Sequence, residues 1–523
     1  MDMFIKLAFL VVFFGVMVGI GLYCRKHTTD VNGFVLGGRA VGPWLTAFAY
    51  GTSYFSAVVF VGYAGQFGWK YGIAATWAGI GNALLGSLLA WVVLGRRTRV
   101  MTQHLDSATM PQFFENRFQS RSLKLAASAI IFIFLIPYTA SLYNGLSRLF
   151  GMAFHVDYAV CVIAMAVLTG VYVIAGGYMA TAINDFIQGI IMIVGIIAVV
   201  GAVIKSQGGF LAALDGLARV SDLTVSDTPG VFASFFGPDP VGLLGVVLLT
   251  SLGTWGLPQM VQKFYAIRSE KAIDKGTIIS TVFAAIVAGG CYFLGGFGRL
   301  FSDQVDVAAN GYDSIVPTML EGLSTVLIAV VVILVLSASM STLSSLVLAS
   351  SSTLTLDFIK DTIVKDMDEK RQILTMRLLI VVFIAISVVL AIVQYRSNVT
   401  FIAQLMGVSW GALAGAFLAP FLYGLYWKKT TRGACWVSFL FSTVVMLANI
   451  FFGKYFPTLL QSPINAGAFC MLAGLIIVPV VSLVTPRLPQ GQIDRIFACY
   501  DRKVVVSVKD SIGDHTNPKE ETP

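Results

Sequence analysis

The sequence predicts an all-α integral membrane protein with about thirteen transmembrane helices. Hydrophobic residues make up 57% of the 523-residue chain and charged residues only 12%, whereas ~25% of the residues in a soluble domain are charged. Apolar stretches of ~20 residues, long enough to cross the hydrocarbon core of a bilayer, recur along nearly the whole chain. Most side chains are therefore expected to contact lipid or other helices.

The first apolar stretch is expected to remain part of the protein as a helix. Arg25 and Lys26 follow it directly, and no small-residue cleavage pattern precedes them, which argues against a signal peptide. The thirteen predicted spans are approximately 3–23, 41–62, 73–94, 123–150, 157–175, 181–204, 240–264, 273–298, 320–350, 373–395, 400–426, 433–453 and 464–485.

The positively charged residues predict how the chain is oriented. Most of the 35 Lys and Arg residues, Lys263 among them, fall in short segments beside the spans and collect on one side of the predicted topology. Cytoplasmic segments carry such an excess, so we expect the N-terminus outside and the C-terminus in the cytoplasm, in the inner or plasma membrane of the cell. The net charge of +8 then reflects topology, with the lipid bilayer and not nucleic acid as the partner. The polar tail after Arg487 is expected to be disordered.

Cysteines and histidines give no sign of a catalytic or metal centre. The six cysteines lie far apart and mostly within apolar spans, which indicates neither a disulfide framework nor a zinc site. The four histidines fall near loops or in the tail, away from any cysteine or acidic cluster. The sequence therefore predicts that the protein is not an enzyme, and no obligate protein partner is evident.

Two of the predicted spans look interrupted. The second contains TAFAYGTSYFSAVVFVG, in which an apolar helix is broken by Gly51, Thr52, Ser53 and Ser56. The seventh contains LLTSLGTWGLPQMVQKF, with Gly253, Gly256 and Pro258. The two spans stand five apart, and interrupted helices at matching places in two halves are typical of transporters built from inverted repeats. The alternative is that glycine and proline only help these helices to pack or bend.

Four stretches of the chain carry a pattern that can be assigned to a family. They are LGGRAVGPWLTAFAYGTSYFSAV, YVIAGGYMATAINDFIQ, SASMSTLSSLVLASSS and LYWKKTTRGA, between about Phe34 and Lys429. In this order within one multi-span chain, they resemble the sodium/solute symporter family, which includes bacterial proline and sialic acid symporters and animal sodium–glucose and iodide carriers. Tyr178 is a departure, because the family more often has a smaller or aliphatic residue after the glycine pair.

The resemblance implies a LeuT-like fold, in which two inverted repeats of five helices form one bundle. One helix precedes the repeats and two follow them. The implied divisions are 1–30 for the additional N-terminal helix, 31–430 for the transport core with repeats at about 41–204 and 240–426, 431–485 for the two C-terminal helices, and 486–523 for a cytoplasmic tail.

Hydroxyl groups in the ninth span point to a sodium site. Sodium is a hard cation that should prefer oxygen ligands, and positions 338, 341 and 342 share one face of a helix. The family's main sodium site matches five positions of this chain, namely Thr52, Phe55, Ala338, Ser341 and Thr342. The first three would supply backbone carbonyls, two of them freed by the break in the second span. The alternative is that the hydroxyls only bond to their own helix or join neighbouring helices.

Asp185 suggests a second ion. An acidic residue within an apolar span costs roughly 2.5–3.5 kcal/mol on insertion scales unless something compensates. The resemblance implies that Asp185, with Ser341, Ser344 and Ser345, matches a second sodium site present in some members. The alternative is that Asp185 is solvated near the inner face or caps a helix. The sequence thus leaves one or two sodium ions open.

The resemblance also places the solute between the two broken helices and the fourth and eleventh spans. The implied contacts are Ser53, Tyr54, Ser56, Tyr138, Thr250, Thr254, Trp255 and Gln404, with Tyr63 and Gln66 near the outer mouth. Proline-transporting relatives have a carboxylate at the position of Tyr54, and the run SYFSAV instead resembles iodide and monocarboxylate carriers. No basic residue lies clearly at midplane depth, so an anion would be held by hydroxyls, helix N-termini and sodium.

These observations predict a sodium-coupled secondary active symporter. It would import a small polar organic solute, either a small organic anion such as a monocarboxylate or an amino acid, by alternating access. The alternative is a channel-like or sensor protein built on the same core. A channel needs a continuous lined pore, which two broken helices around one site do not provide.

Overall fold

Helices account for nearly all of the regular structure of the chain. The computed structural model describes residues 2–25, 30–154, 156–307, 311–364, 367–397 and 402–500. Within these ranges there is no β-strand, and ten helices are long and apolar enough to cross a membrane, or eleven with one bent pair counted as a span. The predicted all-α membrane architecture is confirmed, and the number thirteen remains a prediction.

The described residues of the first half form ten α-helices, several of which are joined without a loop. They are α1 (Asp2–Arg25), α2 (Val31–Leu36), α3 (Pro43–Tyr54), α4 (Ala64–Tyr71), α5 (Thr76–Gly81), α6 (Arg96–His104), α7 (Met110–Phe118), α8 (Arg121–Phe154), α9 (Tyr158–Ser206) and α10 (Phe210–Arg219). A π-helical segment, Val58–Tyr63, leads into α4, and two more, Asn82–Leu89 and Trp91–Gly95, connect α5 to α6.

The second half contains the other broken helix and the C-terminal elements. Its helices are α11 (Pro240–Gly256), α12 (Pro258–Ala266), α13 (Glu270–Gly295), α14 (Ile315–Glu321), α15 (Thr325–Thr353), α16 (Lys360–Thr362), α17 (Glu369–Ser397), α18 (Ile402–Tyr426), α19 (Arg432–Phe452), α20 (Pro463–Val484) and α21 (Gln490–Phe497). A π-helical segment, Leu354–Ile359, links α15 to α16.

Short polar side chains begin several of these helices. The first backbone N–H groups of a helix have no partner within it, and an oxygen of Ser, Thr or Asp just before the helix accepts from one of them. Thr109 does so for α7, Asp157 for α9, Asp239 for α11, Ser269 for α13 and Thr431 for α19, with donor–acceptor distances of 2.9–3.3 Å for the closest bond of each cap.

The middle of the bundle is occupied by α15, which packs against α3, α8 and α9. Its residues 334–353 are buried without exception. Helix α9 bends at Gly177, where φ is 57° and a β-carbon would lie 2.8 Å from the Phe34 carbonyl oxygen. Only glycine suits both constraints. This bend separates the fifth and sixth predicted spans.

The two broken helices have the same local geometry. Each helix is followed directly by a residue in an extended conformation. This residue is Phe55 after α3 (φ −82°, ψ 124°) and Leu257 after α11 (φ −78°, ψ 123°). In each case the N–H of that residue donates to the carbonyl four positions earlier, Gly51 or Gly253, at 3.2 Å. The break between α11 and α12 bends the chain by 46°. Equivalent breaks in both halves are what an inverted repeat requires.

Arg299 joins the end of α4 to the connection between α10 and α11 at one end of the bundle. Its guanidinium lies 2.9 Å from the Asp222 carboxylate, donates to the Trp69 carbonyl at 2.6 Å and covers the ring of Phe232. Hydrogen bonds from Thr224 and from Arg299 hold the pKa of Asp222 below its usual range.

The C-terminal segment differs in part from the expected disordered tail. Helix α21 buries Ile493, Ile496 and Phe497, because apolar residues three and four positions apart share one face of a helix. Lys428 and Asp494 form an ion pair at 3.1 Å across this contact. Residues 501–523, which make up most of the predicted tail, lie outside the described residues.

Close contact between α4 and α13 depends on glycine. A β-carbon at Gly295 would lie 2.0 Å from the Ala64 carbonyl oxygen, and the atoms in its way belong to the backbone. Gly295→Ala should therefore destabilise the protein by about 1–3 kcal/mol, as overpacking of a dense interior does. At Gly289, on the same helix, a β-carbon would meet no atom of another described segment within 4 Å.

Gly289→Ala is accordingly the matched control for this prediction. It should leave the apparent melting temperature of the purified protein unchanged or slightly raised, because alanine favours a helix more than glycine does. Equal melting temperatures for the two variants would contradict the close contact.

Candidate functional site

The break after α3 leaves backbone oxygens without helical partners. Because Phe55 is extended, the last carbonyls of α3 cannot continue the helical hydrogen-bond pattern. Ser56 then starts the next segment, and its hydroxyl accepts from the Val58 N–H at 3.2 Å. The Ser56 side chain, expected to contact solute, is therefore used as a helix cap.

Two hydroxyls of α15 face these oxygens. Ser341 Oγ lies 3.1 Å from the carbonyl oxygen of Thr52 and 3.0 Å from that of Ala338. Thr342 Oγ1 lies 3.0 Å from the Thr52 oxygen and 3.1 Å from the oxygens of both Phe55 and Ala338. All five residues are buried. The structure thus brings together the five positions predicted for the main sodium site, and we call these atoms the five-oxygen cluster.

The five-oxygen cluster has too few protons for its contacts. Each hydroxyl carries one proton, which it directs at one acceptor or shares less favourably between two. Ser341 and Thr342 make five close contacts with carbonyl oxygens but hold only two protons between them. At most two of the five contacts can therefore be full, two-centre hydrogen bonds, and the others bring oxygen atoms together with a shared proton or none. A small cation among the oxygens would turn this repulsion into attraction.

The surroundings of Asp185 differ from those expected for a second sodium ion. Asp185 is fully buried in α9, and Lys263, on α12, places its ammonium nitrogen 3.9 Å from the carboxylate. Lys263 is 2% exposed and so lies inside the bundle, although the sequence suggested a loop position beside the seventh span. Its ammonium group also donates to Ser345 Oγ at 3.1 Å and lies 5.0 Å from the centre of the Tyr178 ring.

The remaining serines of this region are engaged with their neighbours. Ser345 Oγ lies 2.8 Å from Ser53 Oγ, so the contact reaches from Lys263 to the end of α3. Ser344 donates to the Ser341 carbonyl at 2.8 Å, within its own helix. The structure brings Asp185, Ser341, Ser344 and Ser345 to one region and places a lysine among them.

Several residues expected to bind solute bond to the protein instead. Ser53 donates to the Ala49 carbonyl at 2.5 Å, Thr250 to Val246 at 2.8 Å, and Thr254 to Gly86 at 2.9 Å. The Trp255 indole donates to Leu85 at 2.9 Å. Gln404 is half-buried at the start of α18. Thr254 and Trp255 thus join the broken helix α11 to the segment between α5 and α6, whereas Ser53 and Thr250 bond within their own helices.

A group of buried aromatic residues has polar atoms without a hydrogen-bond partner in the described part of the chain. Its predicted members are Tyr54, Tyr63 and Tyr138. Two further members, Tyr292 and Trp410, were not predicted. These five residues, which we call the aromatic group, lie on α3, α8, α13, α18 and the π-helical segment before α4.

Trp410 lies beside two other members of the aromatic group. Its ring centroid lies 5.7 Å from that of Tyr54 and 6.0 Å from that of Tyr138. A β-carbon at Gly253 would lie 2.5 Å from this ring, so the glycine at the α11 break makes room for it. The glycine is visible in the sequence, but the partner that fills the space is not, which is why Trp410 was missed. Tyr292 was missed for a similar reason, since nothing in GGCYFLGG indicates which side faces the centre.

The described residues enclose a small cavity at the α3 break and a larger one at one end of the bundle. A cavity of about 10 Å³ lies among Tyr50, Tyr54, Asn82 and Thr254, roughly enough for one water molecule. A larger cavity of about 450 Å³ lies at the end of the bundle that carries Lys70, Asp239, Arg299 and Asn465.

A family model now decides where the chain belongs. The model of the sodium:solute symporter family matches residues 34–441, well over half of the chain. The chain belongs to the sodium:solute symporter family. Members of this family are transporters, which confirms the prediction that the protein is not an enzyme, and membership implies sodium coupling without stating how many ions are carried.

Named relatives of this symporter cover almost its whole length. It is 28% identical over 480 residues to the osmoregulated proline transporter OpuE of Bacillus subtilis, covering 91% of this chain and 94% of the relative. It is 27% identical over 489 residues to the sodium/proline symporter of Staphylococcus aureus strain NCTC 8325, covering 91% of each.

Solved structures confirm the LeuT-like fold. A Na⁺-coupled sialic acid symporter in a substrate-bound, outward-open state superposes with a TM-score of 0.72 at 17% identity, over 93% of this chain and 99% of the other. Mhp1, a nucleobase-cation-symport-1 family transporter, superposes with a TM-score of 0.51 at 14% identity, over 88% of this chain and 97% of the other. The predicted pair of five-helix inverted repeats is therefore confirmed.

The ion pair of Asp185 and Lys263 generates a test of stability. Asp185→Asn removes the carboxylate and leaves a buried ammonium group without its counter-charge, which should destabilise the symporter by about 3–5 kcal/mol. Asp185→Asn combined with Lys263→Gln removes both charges and should recover most of the loss. The apparent melting temperature in potassium buffer measures both effects. If the double variant were less stable than Asp185→Asn alone, the unpaired Lys263 would not be the cause of the lost stability.

Proposed function

We propose that the protein is a sodium-coupled secondary active symporter that imports a small polar organic solute by alternating access. The observation that carries this proposal is the five-oxygen cluster, which offers a cation two hydroxyls and three carbonyls in a fully buried place. Family membership supports the coupling ion. The alternative is a channel-like or sensor protein with the same helical core, and the uptake experiment described below distinguishes it from a symporter.

The five-oxygen cluster suits a hard monovalent cation. Its ligands are neutral oxygens, the type that hard cations prefer, and no carboxylate is among them. A sodium ion there would connect α3 with α15. Thr52 and Phe55 enclose Ser53 and Tyr54 in the chain, so an ion that orders this break also orders the neighbouring Tyr54. This contiguity is the physical basis that we propose for coupling ion to solute, and such coupling is reciprocal.

The aromatic group indicates the chemistry of the solute. Its four phenols and one indole can all donate a hydrogen bond, and the indole can only donate. A ligand with strong acceptor atoms and an apolar body fits such a wall best. We therefore propose a small organic anion, of which a monocarboxylate is the simplest case, with sodium as part of its counter-charge.

An amino acid is the second candidate. The relatives from Bacillus subtilis and Staphylococcus aureus are named for proline, and the carboxylate of an amino acid would meet the same donors as a monocarboxylate. Its amine would have to find backbone oxygens at the breaks. Proline and monocarboxylates are therefore to be compared directly.

The orientation of the chain stays a proposal drawn from its charges. Arg96, Arg97, Arg99 and Lys428 lie near α21 or at the ends of helices that contact it. The positive-inside rule places this basic end in the cytoplasm. We propose that the N-terminus is outside and that the membrane is the inner or plasma membrane.

The function is tested by ligand-dependent stability followed by uptake. The purified protein is heated with monocarboxylates, proline and sugars, in sodium or in potassium buffer. A ligand that binds only the folded state raises its apparent melting temperature, and we expect this for a monocarboxylate in sodium only. Proteoliposomes should then accumulate that solute with an inward sodium gradient. Equal uptake with potassium on both sides would exclude symport and favour the channel-like alternative.

The sodium ligands can be tested by removing the two hydroxyls. Ser341→Ala combined with Thr342→Ala leaves three carbonyls for the ion, and the sodium concentration that gives half-maximal uptake should rise by about tenfold or more, the equivalent of ~1.4 kcal/mol. Ser351→Ala combined with Ser352→Ala is the matched control, because these hydroxyls bond to their own helix. If uptake by the Ser341→Ala, Thr342→Ala variant depended on sodium as in the wild type, sodium would not bind at the five-oxygen cluster.

Two tryptophans separate solute binding from packing. Trp410→Phe keeps an aromatic ring but removes the indole N–H, whose ring neighbours are Tyr54 and Tyr138. Losing a hydrogen bond to a charged solute costs about 1.5–3 kcal/mol, so solute affinity should fall by about tenfold or more. In Trp255→Phe the lost N–H was bonded to the Leu85 carbonyl. This variant should therefore have a lower melting temperature than the wild type and nearly unchanged solute affinity. If Trp255→Phe lost solute affinity and Trp410→Phe lost only stability, the solute would bind at Trp255 and not at Trp410.

A further inference from the structure

Lys263 occupies the place where the sequence suggested a second sodium ion. The carboxylate of Asp185 has no hydrogen-bond partner among the described residues, and Lys263, at 3.9 Å, is the cation beside it. The lysine also donates to Ser345, which was to be a ligand of that ion. One carboxylate and one ligand hydroxyl are thus already directed at an ammonium group.

A sodium ion would not be stable next to this ammonium group. An ion bound by Asp185 and Ser345 would lie beside Lys263, and two positive charges at such a distance repel each other strongly in a buried environment. Asp185 carries one negative charge, which one cation balances. Ser344, another of the suggested ligands, donates to the Ser341 carbonyl instead.

Tyr178 provides a second, independent observation. The centre of its ring lies 5.0 Å from the ammonium nitrogen of Lys263, and the ring of a tyrosine attracts a cation. A smaller or aliphatic residue at this position would offer the lysine no such surface.

We propose that Lys263 is a built-in cation that replaces a second sodium ion, so that the symporter couples transport to one sodium ion only. This inference rests on the proposed function and adds the ion stoichiometry and the residue that sets it. The ammonium group holds α9, through Asp185, to α12 and to α15, through Ser345. Ser345 in turn contacts Ser53 at the end of α3. Lys263 therefore does permanently what a bound ion would do reversibly.

The stoichiometry is measured as binding of radioactive ²²Na⁺ to the purified, full-length protein. We expect about one ion in the wild type and a Hill coefficient near one for sodium in uptake. Lys263→Gln leaves Asp185 without a counter-charge and should bind about two ions, with a Hill coefficient that rises towards two. Sodium should also raise the melting temperature of Lys263→Gln more than that of the wild type.

Two control variants separate charge from shape. Lys263→Arg keeps the positive charge and should bind one ion. Lys263→Gln with Asp185→Asn lacks both charges and should also bind one ion, because no carboxylate remains to attract the second. Two ions bound in this double variant would overturn the proposal.

The wild type decides the question even if Lys263→Gln fails to fold. Two ions bound in the wild type would overturn the role of Lys263 while leaving sodium symport intact. No bound sodium at all would instead contradict the proposed function. A well-folded Lys263→Gln that still binds one ion would also overturn the proposal.

Discussion

A helix that breaks inside a bilayer must find partners for the backbone groups that the break releases. After the break at Phe55, the last carbonyls of α3 no longer accept hydrogen bonds from a following helical turn. Lipid has no donors that could replace those bonds. The hydroxyls of Ser341 and Thr342 on α15 lie opposite them, but two protons do not satisfy five contacts. A cation is the simplest completion of this arrangement. The central position of α15 and the close packing around it follow from the need to hold these oxygens in place.

The second constraint is the buried charge of Asp185. A carboxylate in the interior needs a counter-charge. Here the counter-charge is a side chain of the protein itself, the ammonium group of Lys263. The lysine is long enough to reach from α12 to Asp185 and to a serine of α15, and an aromatic ring supports it. The five-oxygen cluster thus connects the α3 break with α15, and the ion pair connects α9 with α12 and, through Ser345, with the same helix α15.

Patterns that depend on one segment were predictable, and contacts between distant segments were not. Apolar runs predicted the helices, and Gly51 and Gly253 predicted the breaks. The spacing of Ser341 and Thr342 predicted a shared face, and the resemblance supplied Thr52 and Phe55 as their partners. Lys263 was missed because its position at the end of an apolar span suggested solvent, whereas the structure buries α12, the short helix that carries it. The aromatic group was found only in part, since a phenol in an apolar run looks the same whether it faces lipid or the centre.

The central claim is that one sodium ion joins the break in α3 to α15. Hydrogen–deuterium exchange of the purified protein, followed by mass spectrometry, tests it without knowledge of the solute. Replacing potassium by sodium should slow exchange in peptides that cover 51–60 and 338–346, and leave peptides of α19 and α20 unchanged. If sodium changes neither of the first two segments, or changes all segments equally, the ion does not join them and the account is wrong.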